Sequence, residues 1–148
     1  MKDTVVLLDE SDVQELIDLE GLCFDYHWTQ EQFLLGLKNK AFRVLGIRRG
    51  EALVGYMAFS LIVDEMEILN LAVHPEYRRQ GLAEVLLGKC FEMCVSCNIK
   101  KSFLDVKRSN DPALALYRKF GYKRIGVRKN YYPDTKEDAL LFRYDFSE

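Results

Sequence analysis

The sequence predicts an α+β fold in which a single mixed β-sheet is flanked by helices. Three strand-like segments, 42–48, 53–62 and 66–73, are joined by connections too short for crossovers, which indicates an antiparallel meander. A long amphipathic segment then leads to another apolar strand, 102–106, and this pattern is typical of a parallel pair joined by a helix. The predicted order is β-α-α-β-β-β-α-β-α-β-β.

The N-terminal part predicts one strand and two helices. Residues 4–8 are rich in Val and Leu, as strands are. The helices are expected over about 12–22 and from 30 to about 39, because each begins with Ser or Thr followed three positions later by Gln, the spacing of a capping box. These pairs are Ser11 with Gln14 and Thr29 with Gln32.

The second half predicts two further helices and the remaining strands. A helix is expected over about 81–97. The residues expected on its buried side are Leu82, Val85, Leu86 and Cys90. Segment 110–112, Asn-Asp-Pro, begins the next helix because Pro is favoured in a first helical turn, and Gly121 ends it. Strands 123–129 and 138–146 complete the chain.

Length and composition fit one ordinary globular domain, expected to span residues 1–148. A net charge of −2, from 21 basic and 23 acidic side chains, argues against broad nucleic-acid binding, so no direct nucleic-acid partner is expected. The first apolar run is too short for a signal peptide and none is long enough to span a bilayer. A cytoplasmic protein without membrane contact is therefore expected, and the oligomeric state is left open.

The four cysteines are Cys23, Cys90, Cys94 and Cys97. The last three follow helical spacing and are expected on one helix face. A zinc site would need a fourth ligand, and neither His27 nor His74 has the spacing of a known zinc pattern. Small buried thiols are the favoured interpretation, and no metal is expected.

Residues 71–83, Leu-Ala-Val-His-Pro-Glu-Tyr-Arg-Arg-Gln-Gly-Leu-Ala, predict a pyrophosphate site. An apolar strand ends at Val73, and two arginines and a glycine then open a helix. A helix start presents bare N–H groups and a positive dipole, and guanidinium groups bind phosphate. Gly81 would let a phosphate approach the amides. The alternative is a solvated Arg-Arg turn.

The Arg-x-x-Gly-x-Ala spacing after a Val-x-Pro turn resembles the acetyl-coenzyme A loop of the GCN5-related N-acetyltransferases, with Arg78, Gly81 and Ala83 at its motif positions. Segment 104–122 resembles a second signature of that family, Val-x-x-x-Asn followed by Ala-x-x-Leu-Tyr-x-x-x-Gly-Phe, with Asn110 at a cofactor contact and Tyr117 near the thioester. The predicted element order is also the family's. In the family, the pantetheine arm enters a splay between the strands that end here at Val73 and near Val106.

The resemblance implies acetyl-coenzyme A as cosubstrate. The residues expected to bind it are Leu71, Ala72, Val73, Arg78, Arg79, Gln80, Gly81, Leu82, Ala83, Asn110 and Tyr117.

A third signature points to the acceptor. Segment 130–139, with Asn-Tyr-Tyr-Pro followed by Glu-Asp-Ala, resembles the ribosomal-protein-alanine N-acetyltransferases of the RimI type, and 24–28 resembles that group's Phe-Pro-Trp segment with His27 in place of proline. The resemblance implies a slot for a protein N-terminus, with the N-terminal alanine of small-subunit ribosomal protein eighteen as acceptor. The residues expected there are Tyr26, Trp28, Asn70, Asp105, Tyr131 and Tyr132.

The chemistry needs one base and one acid. An α-amine has a pKa of about 8, so part of it is already neutral at cellular pH. Asp105 is the candidate base and Tyr117 the candidate acid, while N–H groups at the end of strand 66–73 are candidates for the oxyanion. Relatives carry Glu or His at the aspartate position, so we expect the shorter Asp105 to act through a water or only to bind the ammonium. Glu67 is a reserve base.

Two other functions remain open from the sequence. One is transfer to a small amine or to a lysine side chain, whose pKa of about 10 demands a stronger base. The other is a coenzyme A-binding interaction domain without catalysis. Acidic side chains near the acceptor side would suit a basic peptide, although a solvated charged face explains them as well. These residues are Asp64, Glu65, Glu67 and Asp105.

Overall fold

The computed structural model describes residues 2–24 and 28–146. Within them, seven strands and four α-helices follow the predicted order, so the α+β class is confirmed. The elements are β1 (Asp3–Leu8), α1 (Val13–Cys23), α2 (Gln30–Lys38), β2 (Arg43–Arg49), β3 (Ala52–Ile62), β4 (Glu65–Val73), α3 (Leu82–Ser96), β5 (Lys101–Lys107), α4 (Asp111–Lys119), β6 (Lys123–Arg128) and β7 (Ala139–Asp145).

The strands form one sheet in the order β1-β2-β3-β4-β5-β7-β6. All neighbours are antiparallel except β4 and β5, which are parallel and joined through α3. A connection of this kind is what a parallel pair requires. The single parallel pair therefore lies in the middle of the sheet, where the predicted meander ends.

Helices cover the two faces of the sheet unequally. Helices α1 and α2 pack on one face against β1–β4, in a core that includes Leu16, Phe33 and Tyr56. Helices α3 and α4 pack on the other face, in a larger core that includes Leu86 and Phe142. Burying each such side chain stabilises the fold by about 1.5–3 kcal/mol. The α1–α2 face is consequently left open over β5, β7 and β6.

One predicted helix start is confirmed and the other is wrong. The Thr29 hydroxyl accepts from the N–H of Gln32, whose side chain accepts in turn from the N–H of Thr29, so α2 begins with a capping box. The box predicted at Ser11 does not form. Asp9 and Asp12 make the reciprocal contacts instead, around a 3₁₀ turn that precedes α1. Two carboxylates accept backbone N–H bonds more strongly than a hydroxyl and an amide.

Helix α3 departs from the prediction at two positions. Val85, expected on the buried side, is 48% exposed. Cys90 and Cys94 are buried, whereas Cys97 is exposed because the helix ends at Ser96. Over the described part of the chain, no group of three or more His, Cys, Asp or Glu residues could hold a metal ion. Within the same residues, no helix has the length and apolar character needed to cross a membrane.

Candidate active site

The two parallel strands separate halfway along their length. Their pairing runs from Glu65 opposite Lys101 to Ile68 opposite Leu104 and then stops, although β4 continues to Val73. The strands part beside a β-bulge in β4, where the extra residue of the strand, position 69, has no partner on β3. Bulges bend a strand and raise its twist. The bulge therefore accompanies an opening between the C-terminal halves of β4 and β5.

Backbone donors of β4 face this opening. The N–H of His74 donates to the carbonyl of Val54 at 2.8 Å. Because bonded pairs alternate along an antiparallel ladder, the N–H groups of Leu71 and Val73 point away from β3 and toward the opening. The amide oxygen of Asn70 accepts from the N–H of Leu71 at 3.1 Å. An extended ligand can pair with such a strand edge.

The start of α3 is a second group of backbone donors. Gly81 precedes the helix with φ +78°, and the first helical bond runs from the N–H of Val85 to the Gly81 carbonyl. Residues 82–84 therefore have N–H groups with no acceptor inside the helix. Thr29 and Asn110 cap α2 and α4 with their side chains, but α3 has no side-chain cap. This helix start is suited to an anion.

The two predicted phosphate-binding arginines have different surroundings. Arg78 donates from Nε to the carbonyl of Val73 at 3.0 Å and so ties the loop to the end of β4. The same carbonyl accepts from the thiol of Cys23 at 3.4 Å, and burial raises the pKa of that thiol. Arg79 is exposed and has a φ of +65°, beside the exposed Gln80. The structure thus brings 78–83 to the mouth of the opening.

Asp105 lies on the open face of the sheet. It lines a pocket of about 310 Å³ together with Glu67 and Arg128. Burial raises the pKa of Glu67, the charge of Asp105 raises it further, and Arg128 opposes the shift. Aromatic and aliphatic side chains form much of the floor. These are Phe103, Ile125 and Leu141.

Tyr117 approaches from the opposite side of the sheet. Its side chain is only 5% exposed, and its ring lies 5.6 Å from that of Tyr122. Burial raises the pKa of Tyr117, and Tyr132 raises it further. Burial also raises the pKa of Tyr132 to about 12, with Asp105 the next contributor. The two predicted catalytic residues therefore lie on opposite faces of the sheet, and Tyr132 lies near both.

The predicted acceptor residues separate into two sets. Tyr131 and Tyr132 form a lip, with their rings 5.2 Å apart and nearly perpendicular, and Tyr131 is 46% exposed. The ring of Trp28 instead packs 5.0 Å from Phe33 and 5.1 Å from Phe42, so it anchors the start of α2. Two further residues of that predicted segment, Tyr26 and His27, lie outside the described residues.

A buried carboxylate that sequence reasoning missed lies beside the opening. Glu20 is fully buried and accepts from the Tyr56 hydroxyl, the side-chain amide of Asn70 and the backbone N–H of Trp28, the last at 3.0 Å. Asn70, predicted to contact the acceptor, therefore links β4 to α1. The signal was available, because Glu20 follows Leu19 on the apolar face of an amphipathic helix.

A known protein family matches most of this chain. The family described as acetyltransferase (GNAT) family matches residues 13–122. The chain belongs to the acetyltransferase (GNAT) family. Its activity class is accordingly N-acetyl transfer, as the motifs predicted.

The comparisons also confirm the resemblance to the RimI type. A Bacillus subtilis (strain 168) protein, provisionally named ribosomal protein bS18-alanine N-acetyltransferase, is 36% identical over 93% of this chain and 91% of its own length. The crystal structure of the ribosomal-protein-S18-alanine N-acetyltransferase from Escherichia coli superposes with a TM-score of 0.93, at 26% identity, over 99% of this chain and 96% of that one.

A more distant structure shares the fold. Arabidopsis thaliana NAA60 in complex with acetyl-CoA has a TM-score of 0.87 at 18% identity, over 98% of this chain and 99% of that one. At this identity the likeness extends to the fold alone.

Proposed function

We propose that the protein is an acetyl-coenzyme A-dependent N-terminal α-amine acetyltransferase of the cytoplasm. The observation that carries the proposal is the opening between β4 and β5. On one side it meets the uncapped start of α3, and on the other it meets Asp105 and the tyrosine lip. A tethered acyl group on one side and an amine on the other would meet at such an opening.

The residues around the opening fit a nucleotide thioester. The N–H groups of 82–84 and the exposed Arg79 suit its pyrophosphate, and Gly81 leaves open space, since a Cβ there would meet no atom within 4 Å. The edge of β4 suits a pantetheine arm, which carries amides that can pair with a strand. The bound cosubstrate would supply an acetyl thioester for attack by the amine.

Asp105 would receive the proton that the attacking amine must lose. The α-amine needs little activation because its pKa is about 8, so a carboxylate acting through one water is sufficient. Glu67 shares the pocket with Asp105, and the charge of Asp105 raises the pKa of Glu67 beyond the effect of burial. The pocket is large enough to hold the bridging water.

Tyr117 would act on the leaving group. Its raised pKa means that the phenol keeps its proton throughout the cellular pH range. We therefore infer that Tyr117 stabilises the departing thiolate first by a hydrogen bond, because full transfer from so weak an acid is unfavourable until charge develops. The N–H of Val73 would serve the oxyanion, because it points away from β3, whereas the N–H of Leu71 already donates to the amide oxygen of Asn70.

The proposed acceptor is the N-terminal alanine of ribosomal protein bS18. Two similarities support it: the Bacillus subtilis relative bears this activity in its name, and so does the Escherichia coli structure. The tyrosine lip is suited to holding the first residues of an extended peptide, because rings can cover an apolar side chain and hydroxyls can meet peptide carbonyls.

Intact-mass analysis tests the proposal. The protein is incubated with acetyl-coenzyme A and three acceptors: a peptide with the bS18 N-terminus, the same peptide with a blocked α-amine and an internal lysine, and a polyamine. We expect one added acetyl group on the first acceptor only. Acetylation of the blocked peptide or of the polyamine would favour the lysine or small-amine alternative, and binding without transfer would favour the interaction domain.

A further inference from the structure

The connection between β6 and β7, residues 129–138, is bound to the last residue of β5 and to the two residues that follow it. We call this connection the acceptor loop, because it carries Tyr131 and Tyr132. Three consecutive residues of the chain each contact a different acidic residue of the loop. These contacts are Lys107 Nζ to Asp134 at 2.9 Å, Arg108 Nη2 to Asp138 at 3.4 Å, and the N–H of Ser109 to Glu137 at 3.1 Å.

Lys107 differs from the other two because it also contacts an aromatic ring. Its Nζ lies 5.2 Å from the centroid of the Tyr132 ring, within the range of a cation–π interaction. The side chains of Lys107 and Asp134 are 31% and 26% exposed, so the pair is partly shielded from water. One ammonium group thus fixes both the tyrosine and the next turn of the loop.

We propose that Lys107 is a positioning residue for acetyl transfer, holding Tyr132 in the place where the acceptor enters. The inference rests on the proposed function. Asp105 lies two positions earlier on β5, and side chains two apart on a strand point to the same face. Lys107 therefore fixes the tyrosine on the face where the candidate base lies.

The fastening also joins the two halves of the site. Directly after positions 107–109, Asn110 caps α4, because its side chain accepts from the N–H of Ala113 at 3.3 Å. Helix α4 carries Tyr117. Positions 107–110 hence hold the acceptor loop at one end and the start of α4 at the other. A loop without this anchor would have to be ordered by the acceptor itself, which lowers apparent affinity.

The test compares three variants in steady-state acetyl transfer to the bS18 peptide. Lys107→Met keeps most of the apolar stem and removes the charge, while Lys107→Arg restores a cation. Lys89→Met is the control, because it also removes an ammonium group and an ion pair, 3.6 Å to Glu92, but on α3 and away from the acceptor loop.

We expect Lys107→Met to raise the KM for the peptide about fivefold, the combined size of a cation–π contact and a partly exposed ion pair. The KM for acetyl-coenzyme A should stay within about twofold, since Lys107 does not face the start of α3. Lys107→Arg should recover most of the loss, and Lys89→Met should behave as wild type. A wild-type KM for the peptide in Lys107→Met, or equal defects in the Met and Arg variants, would overturn the proposal.

Hydrogen exchange separates this inference from the proposed function. Two amides of the acceptor loop donate to backbone carbonyls within it, the N–H of Tyr132 to the Glu137 carbonyl and that of Lys136 to the Tyr132 carbonyl. Lys107→Met should speed exchange in 129–138 and leave β1–β3 unchanged. If the wild-type protein acetylates no peptide, the proposed function is refuted, but hydrogen exchange still tests whether Lys107 holds the acceptor loop. Unchanged exchange in the loop of Lys107→Met refutes that role of Lys107 whether or not the enzyme is active.

Discussion

Replacing Gly81 by alanine tests the proposed cofactor site most directly. Gly81 has a φ of +78°, a conformation that costs other L-residues about 1–2 kcal/mol. A Cβ at this position would meet no protein atom within 4 Å, so packing adds no further penalty. We expect a loss of about 1 kcal/mol in the free energy of unfolding, or a Tm lowered by about 3 °C for a chain of this size.

The larger effect should appear in cofactor affinity. The added methyl group would lie where a phosphate approaches the N–H groups of 82–84, and removing one good phosphate contact of about 1.4 kcal/mol weakens binding tenfold. Isothermal titration calorimetry with coenzyme A measures this loss. Acetyl-pantetheine lacks the pyrophosphate, so its kcat/KM as acetyl donor should be the same in Gly81→Ala and wild type.

Gly121→Ala is the matched control for this experiment. Gly121 also has a positive φ, +98°, but a Cβ there would lie 3.2 Å from the Tyr144 ring and within 4 Å of no atom of 82–84. It should destabilise the fold at least as much as Gly81→Ala and leave coenzyme A affinity unchanged. The reasoning fails if Gly81→Ala binds coenzyme A as wild type does, or if both acetyl donors lose activity equally.

Three further predictions concern side chains around the opening. Tyr117→Phe should lower kcat about a hundredfold while the Kd for coenzyme A changes little, and a dominant loss of binding would make Tyr117 a binding residue only. Asp105→Asn should lower the pKa of Glu67, because the neighbouring charge is removed. The titration of Glu67 can be followed by NMR, and an unchanged pKa would show that the two carboxyl groups do not interact. Glu20→Ala should cost about 2–3 kcal/mol in urea unfolding, since its buried donors lose their acceptor, whereas the exposed Glu51→Ala should cost almost nothing.

The order of elements could be predicted because local signals agreed with one another. Connections of two residues fixed the antiparallel meander, and the position of Gly81 before an apolar period fixed the start of α3. The family signatures then drew attention to 71–83 and 130–139. These are features of adjacent residues, which a sequence shows directly.

Other features depend on contacts between distant parts of the chain and were missed. Val85 fits the apolar period of α3, but it lies outside the hydrophobic core and its side chain is exposed. The place of Glu20 on the apolar face of α1 is visible in the sequence, but its partners are not, because Tyr56 and Asn70 reach it from two strands. Lys107 of β5 and Tyr132 of the acceptor loop come into contact only because the whole sheet sets the path of that loop.

The unpaired position in β4 has a consequence for how the chain tolerates change in length. Before it, Met66 and Ile68 face α3, and beyond it Leu71 and Val73 do so only because one residue has been skipped in the ladder. Deleting position 69 would remove the bulge and, with it, the bend that accompanies the opening, whereas a deletion beyond the bulge would send the apolar side chains after it to the opposite layer. Conservative apolar substitutions should thus be tolerated in this strand more readily than any change in its length.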